Sequence, residues 1–163
     1  MSCERGLNIE VRTHTGLHIL KGAVYRVLKA KWTSGVHVSD NHGRLTVRFD
    51  RKPSDIELAH IEAEANKKIK ENVTIEVLEM DRSVAEERWG DFIYDVFPLP
   101  PTITRPKILY IPDNNSPEGL DFWNVNTCNK THTRTTGDVG SIKISKWRYR
   151  PSKQLLEISF EVE

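Results

Sequence analysis

Apolar residues recur at Leu17, Leu20, Val24, Val27 and Leu28, a spacing of three and four that predicts a helix from Thr13 to about Leu28. Ile19 and Ala23 widen the stripe beyond one face, so a curved sheet is expected to cover most of this helix. Thr13 is a suitable N-cap. Before it, Leu7, Ile9 and Val11 alternate, predicting a first strand over residues 5–12. Val36–Asp40 and Leu45–Phe49 flank the turn-forming Asn41-His42-Gly43 and predict a hairpin whose second strand buries Leu45, Val47 and Phe49. Pro53 breaks the pattern. Ser54 and Glu57 then form a capping box, and Leu58, Ile61, Ala65 and Ile69 follow at helical spacing along a charged second helix.

Val73–Met80 reads as a strand, Val84–Trp89 as a short helix closed by Gly90, and the proline-ended Asp91–Pro101 as an ordered loop that covers something. Lys107–Ile111 returns as a strand, and Asp113–Gly119 is a surface turn. Ile142–Tyr149 and Leu156–Val162 make a last hairpin, in which Leu156, Ile158, Phe160 and Val162 face inward. The apolar parity switches from Ile142 and Ile144 to Trp147 and Tyr149, which calls for a bulge near Ser145 or Lys146. The chain has no internal repeat, low-complexity tract or linker. The expected fold is therefore one α+β domain over residues 1–163, a curved, mainly antiparallel sheet packed around the long helix.

A chain of 163 residues with 37% hydrophobic content can bury a core of its own. Its net charge is only +1, from 24 basic and 23 acidic residues, so contact with nucleic acid would need a local basic surface. No apolar run approaches the roughly 20 residues of a membrane span, and Met1-Ser2-Cys3-Glu4-Arg5 lacks a signal-peptide core, so no membrane contact and a cytoplasmic location are expected. Two cysteines make no disulfide framework. Cys128 is better explained as a metal ligand or a plain buried thiol, and Cys3 has no evident role.

His14 and His18 stand four residues apart at the start of the long helix, where they share a face. Cys128 and His132 repeat that spacing more than a hundred residues later. Three imidazoles and a thiolate suit zinc. The peptidase motif His-Glu-x-x-His is excluded because Thr15 follows His14. A structural zinc knot remains the alternative, since structural sites close all four positions while catalytic sites keep one open.

Two motifs carry a resemblance to a known family: His14-Thr15-Gly16-Leu17-His18, and Cys128-Asn129-Lys130-Thr131-His132 followed by Thr136-Gly137-Asp138-Val139-Gly140 and a strand. Together they resemble the editing domain shared by alanyl-tRNA synthetase and the short free-standing alanyl-tRNA editing proteins of the AlaX family. The likeness runs from about Val11 to about Phe160, without the glycine-rich half-domain of longer members. It implies an ATP-independent carboxylic ester hydrolase acting in trans on misacylated alanine tRNA, with serine the first substrate and glycine the second.

The resemblance also implies that His14, His18, Cys128 and His132 hold one Zn2+ per chain. A zinc-bound water is the expected reacting group, with no side-chain base assigned; the alternative is a zinc that positions the aminoacyl group while another base activates water. A pocket made for alanine rejects poorly a side chain that only adds a hydroxyl, which is why a second hydrolytic site is needed. Thr33 and Thr46 are the candidate partners for a serine hydroxyl, and Gly137 and Asp138 complete the expected substrate-binding set. Two departures stand out. Asn129 and Lys130 occupy positions that are glycine in synthetase editing domains, and Thr33-Ser34-Gly35-Val36 replaces a Gln-x-Gly-Ser stretch.

Lys143, Lys146, Arg148, Arg150 and Lys153 cluster in the last hairpin around Trp147 and Tyr149, a pattern that offers cations to phosphates and aromatic faces to bases. The first four are the expected tRNA-binding residues. Two other readings stay open: a noncatalytic RNA-binding module stapled by zinc, and an editing hydrolase for another tRNA, since related domains occur with threonyl-tRNA synthetases. The chain is expected as a monomer or homodimer.

Overall fold

The long helix begins earlier than its apolar stripe suggests. In the computed structural model, which describes residues 8–116 and 118–163, α1 spans Ile9–Leu28. Its N-cap is Asn8, whose side chain accepts a hydrogen bond from the Glu10 amide. The strand expected over residues 5–12 is therefore helix from Ile9 onward, and its first residues, like Cys3, lie outside the described part. Three alternating apolar residues were a weak strand signal, because Ile9 also sits four residues before Thr13 and eight before Leu17 on one helix face. Thr13 is a buried interior residue, not a cap; its hydroxyl lies 2.8 Å from the carbonyls of Ile9 and Asp40.

The antiparallel strands divide into two sheets. β1 (Thr33–Ser39) and β2 (His42–Arg48) form the expected hairpin, turning at Asp40, whose φ of 52° is left-handed, and Asn41 rather than within Asn41–Gly43. β6 (Ile142–Arg150) and β7 (Leu155–Val162) complete a four-stranded sheet in the order β1-β2-β7-β6. The register shift between Ile144 and Lys146 is the bulge that the parity change demanded. β3 (Glu76–Glu79), β4 (Lys107–Pro112) and β5 (Phe122–Thr127) make a second sheet in that order. β3 is half the length predicted from Val73–Met80, and β5 was not foreseen.

α2 (Asp55–Glu71) opens with the Ser54–Glu57 capping box and packs along α1. Leu58, Ile61, Ala65 and Ile69 enter the main core with Leu20, Val24, Leu45, Val47, Leu109 and Phe160. A second, smaller core lies on the other face of the β3–β5 sheet. There α3 (Arg82–Trp89) and a 3-10 turn over Gly90–Ile93 cover Ile108, Tyr110, Phe122 and Val125. The apolar loop after Gly90 thus covers that sheet, and Gly90 closes α3 at a φ of 64°. No helix among the described residues is long and apolar enough to cross a membrane.

α1 is thus wedged between the two sheets and α2. Trp123, at a register shift in β5, fixes its closest approach: the indole Nε1 donates to the Ile19 carbonyl at 2.9 Å, and its ring lies over Gly22, where a Cβ would overlap the indole. Arg26 and Lys68 both lie over the Trp123 ring and both pair with Asp113, at 2.7 and 3.3 Å, tying the helix ends to the β4–β5 turn. A Gly22→Ala variant should be destabilised by about 2–3 kcal/mol through overpacking and the displaced Trp123 bond, lowering Tm by several degrees. Gly35→Ala, where the nearest atom is 4.0 Å away, should stay within about 0.5 kcal/mol of wild type; chemical denaturation of both variants measures the contrast.

Candidate metal centre

Helical spacing places His14, His18 and Lys21 on one face of α1, and that face looks toward β5. In β5 the side chains of Asn124 and Asn126 lie opposite Ile111 and Leu109, which belong to the main core, so both amides point at the helix. Cys128 follows at the next alternate position, just beyond the strand, where its amide bonds the Lys107 carbonyl. The chain from Cys128 to His132 is a loop, so this pair owes its convergence to the loop and not to a helical turn.

The result is a four-donor cluster. One ligand atom from each of His14, His18, Cys128 and His132 lies within 4.8 Å of all the others. His14 Nε2 is 3.3 Å from Cys128 Sγ, and His132 Nε2 is 3.5 Å from it. Two observations say that the cluster fits a metal ion. His18 Nε2 and His132 Nδ1 are buried without a hydrogen-bond partner, and of the two it is His18 Nε2 that a cation bound at the cluster relieves. His18 Nδ1 is 3.0 Å from Asn124 Oδ1, which fixes its tautomer with Nδ1–H donating and leaves the Nε2 lone pair toward the cluster.

A second hydrogen bond holds the loop. Thr15, the residue that excluded the peptidase motif, accepts the Thr133 amide at 2.9 Å while its hydroxyl bonds the Val11 carbonyl. Thr15 therefore anchors the strand of loop that carries His132.

Burial pushes the imidazoles of His14 and His132 from 6.5 down to about 4, helped at His14 by the Lys130 and Lys21 charges and at His132 by His14. His18, 3% exposed, is pushed well below 6.5, again chiefly by burial. The Cys128 thiol is pushed up by burial. The three imidazoles are thus neutral and able to ligate near neutral pH, whereas the thiol has to release a proton to do so.

Beside the cluster lies a polar network that the sequence reading passed over. Lys21 Nζ donates to Asp95 Oδ1 at 2.9 Å and to Asn126 Oδ1, and Asn126 Nδ2 donates to the Ile93 carbonyl at 3.3 Å. The available signals were the position of Lys21, seven residues after His14, and the alternation of Asn124, Asn126 and Cys128. Lys21 and Asn124 also line a narrow cavity of about 30 Å3 with Thr33, Tyr94 and Trp123. Thr33 is 3% exposed, and its carbonyl accepts the Val96 amide.

The other expected substrate residues sit elsewhere. Thr46 lies between Leu45 and Val47, which face α1, so it points to the opposite side of the sheet. Gly137 and Asp138 lie in a 3-10 turn over Thr136–Val139, where the Gly137 amide donates to Asn72 Oδ1 at the end of α2. Lys143, Lys146 and Arg148 are exposed along the β6 edge of the four-stranded sheet, while Arg150 is paired with Glu157 at 2.8 Å. Trp147 and Tyr149 pack partly into the core and line an open groove of about 700 Å3 with Lys52, Arg148 and Pro151. Three strand spacings separate this edge from β1, about 14 Å.

No family model matches the chain. Among curated proteins it is 36% identical over 135 residues to the alanine–tRNA ligase of Pyrococcus furiosus, 37% over 134 residues to that of Methanopyrus kandleri, and 34% over 147 residues to that of Methanococcus aeolicus. These alignments cover 82, 82 and 90% of this chain but only 14, 13 and 15% of the ligases. The chain resembles the editing domain of alanyl-tRNA synthetase.

The cluster histidines contribute to the acid sensitivity of the metal-free protein. Below pH 6.5 the unfolded chain binds protons at its histidines, while folded His14 and His132 stay neutral until about 4. The unfolded state then holds more protons, so stability should fall steadily as pH is lowered from 6.5 to about 4. Denaturant midpoints across that window measure the slope. A His132→Asn variant should reduce it.

Proposed function

We propose that this relative of the alanyl-tRNA synthetase editing domain is a zinc-dependent hydrolase that deacylates alanine tRNA carrying serine or glycine. Residues 1–163 act as one editing unit in the cytoplasm, and ester hydrolysis there needs no ATP. The four-donor cluster His14, His18, Cys128 and His132 carries the reading, because its donors suit Zn2+ and lie in a segment with that resemblance. When bound, zinc supplies a Lewis-acid charge at this spot, next to which an ester carbonyl or a water is polarised.

The chain's own residues do the rest. Asp95 uses one carboxylate oxygen for Lys21 and Asn126, is 40% exposed, and offers its remaining negative charge to the α-ammonium of an aminoacyl group. Lys21 and Asn126 hold that carboxylate in place. Thr33, at the end of the cavity that Lys21 also lines, is the partner for a serine hydroxyl. Alanine leaves that bond unmade and gains less in the transition state. Lys143, Lys146 and Arg148, about 14 Å across the sheet from β1, meet the tRNA backbone.

With zinc-loaded protein, serine should be released from alanine tRNA at least about a hundredfold faster than alanine, and Thr33→Val should collapse that ratio. Cys128→Ala should abolish release while circular dichroism shows a folded chain. If folded, zinc-loaded wild type released no amino acid from any charged tRNA, the noncatalytic RNA-binding module would be the correct reading. Replacing Lys143, Lys146 and Arg148 together by alanine should weaken tRNA binding and reduce the slope of log Kd against log salt by about 2–3, read by filter binding at several salt concentrations.

A further inference from the structure

We infer that the cleft between the first turns of α1, strand β1 and the Cys128–His132 loop seats the 3′-terminal nucleotide of the acylated tRNA, with Lys130 holding its phosphate. This rests on the hydrolase reading above. The cleft is open to solvent and offers about 410 Å3, enough for one nucleotide; it is walled by Glu10, Val11 and His14 on α1, Val36 and Val38 on β1, and Lys130 on the loop.

Direction within the site comes from the way β1 runs back along α1. At one end Thr33 and Lys21 line the same small cavity, and at the other the Asp40 amide bonds Glu10 Oε2 at 2.9 Å. His14 stands between the two ends and belongs to both the metal cluster and the cleft wall. An aminoacyl ester whose acyl part points to Thr33 and Asp95 has its ester bond at the cluster. Its alcohol part, the terminal ribose and base, then runs toward Val36 and Val38.

The lining suits that half of the molecule. Val36 is 52% exposed in a strand that is otherwise an ordinary sheet edge, and beside Val11 and Val38 it offers an apolar wall to a base face. The carboxylate of Glu10 is engaged by the Asp40 amide. Lys130 stands two residues after Cys128 on the loop, and its side chain forms no ion pair among the described residues. A cation with no ion-pair partner beside the reacting ester is a holder for the phosphate of that nucleotide.

The test uses zinc-loaded protein and seryl-adenosine with and without a 5′-phosphate. Lys130→Ala should raise KM about tenfold for the phosphorylated ester and no more than about twofold for the unphosphorylated one, leaving zinc content at one per chain, and Lys130→Arg should recover most of the loss. Val36→Asp should raise KM for both esters. Independently, the trinucleotide CCA should shift the backbone amide resonances of Val36, Val38 and Lys130 in wild type. An unchanged KM in Lys130→Ala, a loss of zinc in that variant, or CCA leaving those resonances still would each overturn the inference. Should wild type hydrolyse no seryl ester, the hydrolase reading falls, and the CCA shifts decide the cleft on their own.

Discussion

Everything in this protein depends on α1 being packed on three sides at once. Eleven of its twenty residues are buried, against α2, against the four-stranded sheet and against β5. A helix so enclosed has one orientation, and Trp123 fixes its depth through the Ile19 carbonyl and the bare backbone of Gly22. That constraint gives the 14–18–21 face its precision. Imidazoles on a frayed or sliding helix would not meet a cysteine on a separate loop.

Rigid placement has a second effect, on the energies of the groups themselves. Burial, complete for His18 and partial for His14 and His132, together with the Lys21 and Lys130 charges near the helix histidines, favours the neutral imidazoles, and two ring nitrogens are left without partners. A metal-free protein holds those nitrogens against their preference for solvent. Asn124 orients His18 and Thr15 holds the loop that carries His132, so the arrangement is supported by ordinary hydrogen bonds.

Much of this was legible in the chain because the informative signals are local. The i, i+4 spacing of His14 and His18, the Ser54–Glu57 box and the parity change at Ser145 each involve residues within a turn or two of one another, and all three are where sequence placed them. The division into two sheets was not legible, because pairing partners such as Arg48 and Leu155 are set by the whole core. β5 was missed since Asn124 and Asn126 are poor strand formers, and their place there answers to His18 and Lys21, residues a hundred positions away. Thr13 resembled a cap for the same reason: a buried hydroxyl bonded to Asp40 has no local signature.

His14 and Cys128, one from each half of the four-donor cluster, are 114 residues apart in the chain, which would make a bound ion a reporter on completed assembly. Each half alone offers only two ligands. An unfolded or partly synthesised chain can therefore bind metal only weakly, and high affinity arises when the long loop between the halves has closed through the β1–β2 hairpin, α2 and the second sheet. Such a site needs β5 seated against α1 and the loop after it in place, both contacts distant in sequence. Metal occupancy would then separate finished molecules from unfinished ones, and a mutation far from the cluster that slows closure would be felt first as slow metal uptake.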